Sequence, residues 1–301
     1  MSDAIALLDM VHSFSDCVVS SRKMWCRPNI SSASASLAIR EGRYPIEIDS
    51  LVESGVGKPF VSNDTFASPL ANFTLVTGIN GGGKSTYLKQ IGLITVLAQI
   101  GSYVPAEEAY IPIRDLLCTR IGSGDDFEHN ISSFMMECKE TAYICKRVTN
   151  KSLVLIDELG RATSNEDGVS LAWSIAEYLL SSPAYTFFVT HYSGLHQLQE
   201  LYGNVNSVSF GKTVRNQSTE KMKLLYDHKL VSGSCNIGNS YGIDMAELSG
   251  WPTDVVEVAR SVRKTIVGKI GGDGAVRLNT GLAVKETKVV DLIEQVARRL
   301  R

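Results

Sequence analysis

The sequence predicts an α/β domain built on a largely parallel sheet, and three observations support this prediction. Short apolar runs alternate with segments of helical length, as they do in β-α-β units. A glycine-rich turn, residues 78–86, stands between the apolar run at residues 73–77 and an apolar helical segment at residues 87–100. A second apolar run, residues 153–156, ends in two carboxylates. Continuous apolar runs of this kind are typical of strands buried on both faces, which is the usual position of strands in a parallel sheet.

Length, composition and charge limit the class of protein to which this chain can belong. Its 301 residues, 44% of them apolar, suffice for one large globular domain or two small ones. The formal net charge of −2 excludes overall charge as a source of nucleic-acid affinity, so other segments or chains are expected to make most contacts with any DNA. The six cysteines show no zinc-site spacing and are expected to be reduced, as in an intracellular protein. No apolar run has the length of a membrane-spanning helix, so no membrane association is expected.

The residues before the glycine-rich turn predict a helix followed by short strands and loops. Residues 1–20 have apolar side chains at helical spacing and no basic segment at their start, so they predict a helix rather than a signal peptide. The elements predicted next are a loop at residues 27–36, strands at residues 37–40 and 46–48, and a loop at residues 55–59 that leads to Phe60.

Strands and helices continue to alternate after residue 100. The predicted strands, of which the first is partly irregular and the last forms a hairpin or meander, are residues 111–120, 152–157, 185–190 and 205–230. The predicted helices are residues 134–148, residues 169–180 and a third helix that begins at Pro252, since proline is well tolerated in the first turn. A glycine-rich linker at residues 267–283 and an amphipathic helix at residues 286–301 are expected to follow.

The glycine-rich turn matches the phosphate-binding pattern G-x-x-x-x-G-K-[ST]. Its residues are Gly78, Ile79, Asn80, Gly81, Gly82, Gly83, Lys84, Ser85 and Thr86. Glycines let backbone N–H groups close around phosphate oxygens, and the helix that follows adds partial positive charge at its first turn. Lys84 is expected to reach the β- and γ-phosphates of a nucleotide, and the Ser85 hydroxyl to bind Mg²⁺. The alternative is a glycine-rich strand-to-helix turn without a ligand.

Ionisable residues follow two of the predicted strands, at the sheet edge where ligands bind in α/β proteins. Asp157 is expected to hold Mg²⁺, directly or through water, and Glu158 to orient or deprotonate an attacking water molecule. His191 follows the next strand and is expected to sense or contact the γ-phosphate. The alternatives are two solvated acids and a structural histidine. Ser132 and Ser133 stand at a predicted helix start, where serine is first of all an N-cap.

Several segments, taken together and in this order, resemble the MutS family of DNA mismatch-recognition and recombination ATPases. The similar segments, which extend over about residues 38–266, are residues 77–80, 82–86, 100–106, 125–126, 134–135, 157–161, 190–192 and 241–243, together with Ala246 and Pro252. Three stretches are most similar to the meiotic branch of the family, the fourth of its eukaryotic homologues: residues 85–91, 151–153 and 177–181.

The resemblance implies an ABC-type phosphate-loop (P-loop) NTPase fold, with a mainly parallel central sheet flanked by helices and preceded by the end of a lever-like helix. It divides the chain into residues 1–36 (end of the lever helix and linker), 37–266 (MutS-type ATPase domain) and 267–301 (linker and C-terminal helix, a candidate dimerisation element). Segments for the family's mismatch-binding, connector and clamp domains are not recognised, so the chain is expected to be a fragment, a truncated gene model or a short paralogue.

The resemblance also implies roles for individual residues that spacing alone does not. It implies that Phe60 stacks on adenine, that His228 makes a second contact on the adenine side and that Asn80 lies near the γ-phosphate. ATPase domains of the family dimerise with composite nucleotide sites, and Ser132 matches the serine that reaches the partner's nucleotide. Residues 160–164 match the loop that crosses the dimer interface.

Three residues depart from the family pattern. Ile79 stands where the family usually has Pro, and Gly81 where it has Met or Ser, so the loop is expected to be more flexible and to bind nucleotide less tightly. Ala162 replaces a Gly in the interface loop, where a Cβ atom is expected to alter communication with the partner if the backbone is left-handed.

The function implied by the resemblance is ATP binding and hydrolysis, with Mg²⁺, in the dimerisation domain of a DNA-binding protein. Hydrolysis is expected to be coupled to the state of a DNA clamp, in a heterodimer with a MutS-type paralogue. The expected location is the nucleus, where meiotic members stabilise recombination intermediates. Two alternatives stay open: a mismatch-repair paralogue, and a truncated interaction module that partners another MutS-type ATPase without hydrolysing ATP. A transporter or chromosome-organising subunit is disfavoured, because the sequence contains no L-S-G-G-Q-type signature.

Overall fold

The computed structural model describes residues 1–21, 23–46, 60–122, 133–216, 222–233 and 241–272. Its helices are α1 (Ser2–Ser20), α2 (Lys84–Gln99), α3 (Ser133–Arg147), α4 (Asn165–Leu180), α5 (Gln197–Leu201), α6 (Tyr241–Leu248) and α7 (Thr253–Gly272), with a 3₁₀ turn at Ser193–His196. Its strands are β1 (Asn29–Ser31), β2 (Leu37–Gly42), β3 (Asn63–Ala67), β4 (Phe73–Gly78), β5 (Glu108–Pro112), β6 (Leu117–Arg120), β7 (Leu153–Asp157), β8 (Tyr185–Val189), β9 (Val205–Asn216) and β10 (Met222–Ser232). The predicted α/β class is confirmed.

The larger sheet has six strands in the order β10-β9-β4-β8-β7-β6. The pairs β4–β8, β4–β9, β6–β7 and β7–β8 are parallel. Val189 is in register with both Val76 and Asp157, so the carboxyl ends of β4, β7 and β8 lie at one edge of the sheet. This register brings the glycine-rich turn at the end of β4 and the two acids at the end of β7 to the same edge of the sheet.

Two hydrophobic clusters cover the two faces of this sheet. Every residue of β4, β7 and β8 is buried, which explains their continuous apolar runs. One cluster contains Tyr87, Leu88, Ile91 and Ile94 of α2, and the other contains Ala172, Ala176, Leu179 and Leu180 of α4. Burial of each Leu, Ile or Phe side chain contributes about 1.5–3 kcal/mol to the stability of the fold. The packing of α2 and α4 on the sheet therefore fixes the positions of β4, β7 and β8.

The smaller sheet has four strands in the order β1-β5-β2-β3 and contains both parallel and antiparallel pairs. Its strand β1 lies within residues 27–36, so the prediction of a loop there is wrong for Asn29–Ser31 and holds for the rest of the segment. These three residues gain backbone partners from β5, which local composition does not reveal. The segment at residues 111–120 divides into the end of β5 and the whole of β6, which belong to different sheets. The strand predicted at residues 46–48 is absent at Ile46, and the remainder lies outside the described residues.

The chain forms two compact units, residues 1–215 with 224–237, and residues 216–223 with 238–301. In the second unit, the Arg260 guanidinium of α7 lies 3.1 Å from the Asp244 carboxylate and 2.5 Å from the Glu247 carboxylate of α6. Helix α7 continues beyond residue 266 to Gly272, so the linker predicted at residues 267–283 is wrong for residues 267–272, and its remainder lies outside the described residues. The helix predicted at residues 286–301 lies outside the described residues, and the three-part division of the chain stays a prediction.

Helix α1 confirms the helix predicted at residues 1–20, and none of its residues is buried. Among the described residues, no helix combines the length and the apolar character needed to cross a membrane. The cysteines of the described part are free thiols: Cys17, Cys26, Cys118, Cys138 and Cys145.

Candidate nucleotide-binding site

A cleft of about 650 Å³ opens at the carboxyl edge of the larger sheet, a volume within the range that ligand pockets occupy. It is lined by the glycine-rich turn, the acids after β7 and part of α3: Asn80, Gly81, Gly83, Lys84, Ser85, Thr86, Arg120, Gly122, Ser133, Glu137, Asp157, Glu158, Arg161 and Ala162. Four segments that are separate in the sequence, within residues 80–86, 120–122, 133–137 and 157–162, thus form one site.

The glycine-rich turn has a backbone that demands glycine at three places. Gly78, Gly81 and Gly83 have φ angles of 140°, 80° and 109°, a region that other residues rarely adopt. A Cβ atom at Gly78 would also lie 2.9 Å from the carbonyl oxygen of Phe210. Helix α2 begins at Lys84 with Gly83 as its N-cap, and within the described residues no side chain caps it. Its first N–H groups are therefore available to an anion.

Lys84 is almost fully buried at the base of the cleft, with 4% of its side chain exposed. Its ammonium group donates hydrogen bonds to the carbonyls of Gly78 (2.8 Å) and Ile79 (3.2 Å) and to the Asn80 side-chain oxygen (3.3 Å). It also lies 3.4 Å from a carboxylate oxygen of Glu158. Burial lowers the pKa of Lys84, and the charge of Glu158 opposes this shift. The lysine is thus a buried cation that joins the turn to the acid pair.

Asp157 ends β7 and is buried in the wall of the cleft. Burial raises the pKa of its carboxyl group, while a hydrogen bond with the Ser85 side chain lowers it. In the described part of the chain, its Oδ1 atom has no hydrogen-bond partner although it is buried. A buried carboxylate oxygen without a donor, beside a serine hydroxyl, suits an oxygen-ligated cation such as Mg²⁺.

Glu158 follows β7 in a left-handed conformation with a φ angle of 48°. Its carboxylate stands between two cations, Lys84 at 3.4 Å and the Arg161 guanidinium at 2.9 Å. Its backbone N–H donates to the carbonyl of Val189, which ties it to the end of β8. A non-glycine residue in this conformation costs about 1–3 kcal/mol and is found most often at functional sites.

His191 lies beyond the end of β8 and is exposed, with its ring 4.1 Å from the Tyr192 ring between centroids. Partial desolvation of the ring lowers the pKa of His191, and the nearby Glu158 carboxylate opposes this shift. The residue therefore lies near Glu158 but does not line the cleft.

The two residues expected on the adenine side lie apart from the cleft lining. Phe60 is half-buried before β3. His228, in β10, is left-handed with a φ angle of 50°, and its ring nitrogen Nδ1 is 3.1 Å from the carbonyl oxygen of Gly82. The Asn63 side chain donates to the His228 carbonyl at 2.9 Å, so β3 holds this histidine against the glycine-rich turn.

Ser132 and residues 125–126 lie outside the described residues, and Ser133 is the first residue of α3. Ala162 lines the cleft and is not among the described non-glycine residues with a left-handed backbone, so it does not meet the condition under which its Cβ atom was expected to cause strain.

Sequence reasoning missed a buried ion pair in the wall of the cleft. The Arg120 guanidinium at the end of β6 lies 3.3 Å from the Glu137 carboxylate of α3, and only 4% and 2% of their side chains are exposed. Glu137 also accepts a hydrogen bond from the Gly160 N–H. The available signal was a glutamate on the apolar face of an amphipathic helix, where a charge requires a partner.

The sequence of this chain matches a known family and is similar to several named proteins. Residues 74–267 match the family model described as MutS domain V. The chain is 41% identical over 303 residues to the DNA mismatch repair protein MSH4 of Arabidopsis thaliana, covering 100% of this chain and 36% of that protein. It is 42% identical to the human MutS protein homolog 4 (90% and 28% covered) and 38% identical to the DNA mismatch repair protein MutS of Desulfitobacterium hafniense (86% and 29% covered). The chain thus spans about a third of the length of these relatives.

Proposed function

We propose that this chain, which belongs to the MutS family and is similar to its MSH4 members, binds and hydrolyses ATP in the cleft at the carboxyl edge of the larger sheet. One observation carries the proposal: a buried Lys84 in a glycine-rich turn lies 3.4 Å from Glu158, beside a second acid, Asp157. This combination of a phosphate-binding turn and an acidic strand end is what an ABC-type NTPase requires.

The turn would bind the phosphates through backbone N–H groups at the start of α2 and through the Lys84 ammonium group. The Lys84 ammonium group donates to two carbonyl oxygens and lies 3.4 Å from the Glu158 carboxylate. A β- or γ-phosphate oxygen would replace some of these acceptors, because a phosphate carries more charge than a carbonyl. Asn80, which now faces Lys84, would then lie near the γ-phosphate.

Asp157 and Ser85 are the residues that would hold Mg²⁺, as the unpartnered Oδ1 atom of Asp157 suggests. A magnesium ion at this place would neutralise phosphate charge.

Glu158 would orient or deprotonate the attacking water. Its carboxylate is shared between Lys84, at 3.4 Å, and Arg161, at 2.9 Å, which fixes its position beside the phosphate-binding turn. If Lys84 turned to a phosphate, Glu158 would keep Arg161 as its cation partner and would have one carboxylate oxygen available to the water. His191, whose pKa is lowered, would serve as a neutral sensor of the γ-phosphate.

Phe60 and His228 would contact the adenine base, and Ser132 of one subunit would reach the nucleotide of the other in a dimer with a MutS-type paralogue. The likeness to MSH4 supports a role in meiotic recombination in the nucleus, with DNA held by the assembled full-length protein. The bacterial relatives, named as mismatch repair proteins, support the alternative of a mismatch-repair paralogue.

The first test is ATP binding by the Lys84→Ala chain. We expect ATP affinity to fall at least about 100-fold, since the variant loses a buried charge-assisted contact with the phosphates. The measurement is titration with a fluorescent ATP analogue, followed by phosphate release. Lys89→Ala is the matched control, because Lys89 is an exposed lysine of the same helix. Retained tight ATP binding in the Lys84→Ala chain would contradict the proposal.

A further inference from the structure

We propose that contacts on three sides fix the backbone of Gly160 and so hold the Glu158 carboxylate in position for hydrolysis. We call these three contacts the Gly160 clamp. Glu137 and Tyr192, which make two of them, are then positioning residues of the ATPase site. This inference rests on the proposed role of Glu158. The residues that form the clamp come from α3, from α4 and from the turn after β8.

The first side of the clamp is the Gly160 N–H, which donates to a carboxylate oxygen of Glu137. The second oxygen of Glu137 lies 3.3 Å from the Arg120 guanidinium, and the Glu137 residue is 2% exposed. A buried ion pair costs desolvation energy and adds little net stability, so its presence here calls for another use. The ion pair with Arg120 fixes the Glu137 carboxylate so that it accepts from the Gly160 N–H, two residues after Glu158.

The second side is the Gly160 carbonyl, which accepts a hydrogen bond of 2.8 Å from the Tyr192 hydroxyl. Tyr192 is buried, and its own backbone N–H donates to the Thr190 hydroxyl at 3.0 Å. The tyrosine ring is therefore fixed at its base by the end of β8 and at its tip by Gly160. His191, the proposed γ-phosphate sensor, lies between Thr190 and Tyr192, so the clamp also restrains the backbone on both sides of this histidine.

The third side is the Cα atom of Gly160, which packs against Gly168 of α4. A Cβ atom at Gly160 would lie 2.6 Å from the Gly168 carbonyl oxygen, and one at Gly168 would lie 2.1 Å from the Tyr192 hydroxyl. Gly160 also has a φ angle of 86°. A side chain on either glycine would require movement of the backbone, so Gly160 and Gly168 pack directly against each other.

The consequence concerns Glu158, which lies just before the clamped peptide. The Arg161 N–H donates to the Glu158 carbonyl at 3.3 Å, so Glu158 and Gly160 belong to one turn. With Gly160 immobilised, the strained φ angle of Glu158 cannot relax without breaking the clamp. Catalytic groups must keep their geometry within about 0.5 Å, and a clamp of this kind provides that precision.

The test uses Tyr192→Phe, which removes one hydroxyl and keeps the ring. The full chain is assayed with whichever partner homologue it needs for hydrolysis. We expect kcat for ATP hydrolysis to fall about 10-fold or more while the Kd for ATP changes less than about 2-fold, because the phosphate contacts are untouched. Tyr178→Phe is the matched control, since its hydroxyl also donates to a backbone carbonyl, that of Cys145 at 2.9 Å, and joins α4 to α3. An unchanged kcat in Tyr192→Phe would overturn the inference.

Double variants separate this inference from the proposed function. In a Glu158→Ala background, Tyr192→Phe is expected to cause no further loss of hydrolysis, and an additive loss would overturn the positioning role. Wild-type hydrolysis by Glu158→Ala alone would overturn the role of Glu158 in the proposed function. Absence of hydrolysis in the unaltered chain with its partner would overturn that function and this inference together.

Glu137→Gln provides a second readout, because its amide oxygen still accepts from Gly160 but no longer pairs with Arg120. We expect a smaller fall in kcat than in Glu137→Ala, again with the Kd for ATP retained. Equal kcat values in these two variants and the unaltered chain would count against the clamp. If either variant at Glu137 does not fold, as measured by its thermal transition, Tyr192→Phe alone decides.

Discussion

At the residue scale, the site is built from positions where the backbone leaves its regular conformations. Glu158 and His228 have positive φ angles although they are not glycines, and Gly78, Gly81 and Gly83 of the glycine-rich turn also have positive φ angles. Such strain persists only where the surroundings hold it. Here the holding contacts are the Gly160 clamp for Glu158 and the Asn63 side chain for His228.

Substitution at Gly168 tests how tightly this part of the site is packed. Gly168→Ala is expected to destabilise the fold by about 1–3 kcal/mol, because its Cβ atom would meet the Tyr192 hydroxyl and the Gly160 carbonyl oxygen. The measurement is urea unfolding followed by circular dichroism. Gly203→Ala is the control, since a Cβ atom there meets nothing within 4 Å in the described structure. Equal free energies of unfolding for the two variants would show that the packing at Gly168 is loose.

At the scale of secondary-structure elements, α3 and α4 pack with β7 in one hydrophobic cluster, and each contributes a residue that contacts Gly160. Helix α4 begins after Ser164, whose side chain accepts from the Asp167 N–H and so caps the helix directly after the loop at residues 160–164. At its other end, Glu177 of α4 accepts a hydrogen bond of 2.7 Å from Tyr202, which follows α5. Hydrogen bonds therefore connect α4 to Ser164 at its start and to Tyr202 near its end.

The Tyr202–Glu177 contact predicts a pH dependence of stability. Burial, followed by the hydrogen bond and the charge of Glu177, raises the pKa of Tyr202 from 10 to about 12 in the folded chain. Because the folded state holds this proton more tightly, the stabilisation is complete below about pH 10 and is lost as the pH rises towards 12. We expect Tyr202→Phe to lower the free energy of unfolding by about 1 kcal/mol at neutral pH, after allowance for partial exposure.

The measurement for Tyr202 is urea unfolding of both chains across the alkaline range. The difference between the unaltered chain and Tyr202→Phe should shrink as the pH passes from 10 to 12. A difference that stays constant over that interval would show that the pKa of Tyr202 is not raised.

At the scale of the whole molecule, the described part contains the proposed catalytic cleft, and the chain spans about a third of its MutS relatives. All cleft residues belong to one compact unit, residues 1–215 with 224–237. A single unit that carries the phosphate turn and both acids suits a nucleotide-binding module. The family resemblance implies that Ser132 of this chain reaches the nucleotide of a partner subunit, in a composite site.

A mixing experiment tests this composite site. Phosphate release is measured for this chain, for a MutS-type paralogue and for their mixture, and we expect the mixture to exceed the sum of the two several-fold. Ser132→Ala in this chain should lower only the turnover at the partner's site. When the partner's own phosphate-loop lysine is replaced, the remaining turnover comes from this chain's site, and Ser132→Ala should leave it unchanged. Rates that simply add would contradict a shared site.

The sequence by itself determined the parts of this protein that depend on contiguous residues. The glycine-rich turn between β4 and α2, the buried strand β7, and helices α2 and α3 appear where the pattern predicts them, because glycine content and apolar periodicity are local properties. Tertiary structure alone decided what distant residues do together. Gly160 meets Glu137 and Tyr192 across 23 and 32 positions, and β1 exists only because β5 pairs with it. Such contacts depend on how strands and helices pack, and that information is spread over the chain and absent from any single segment.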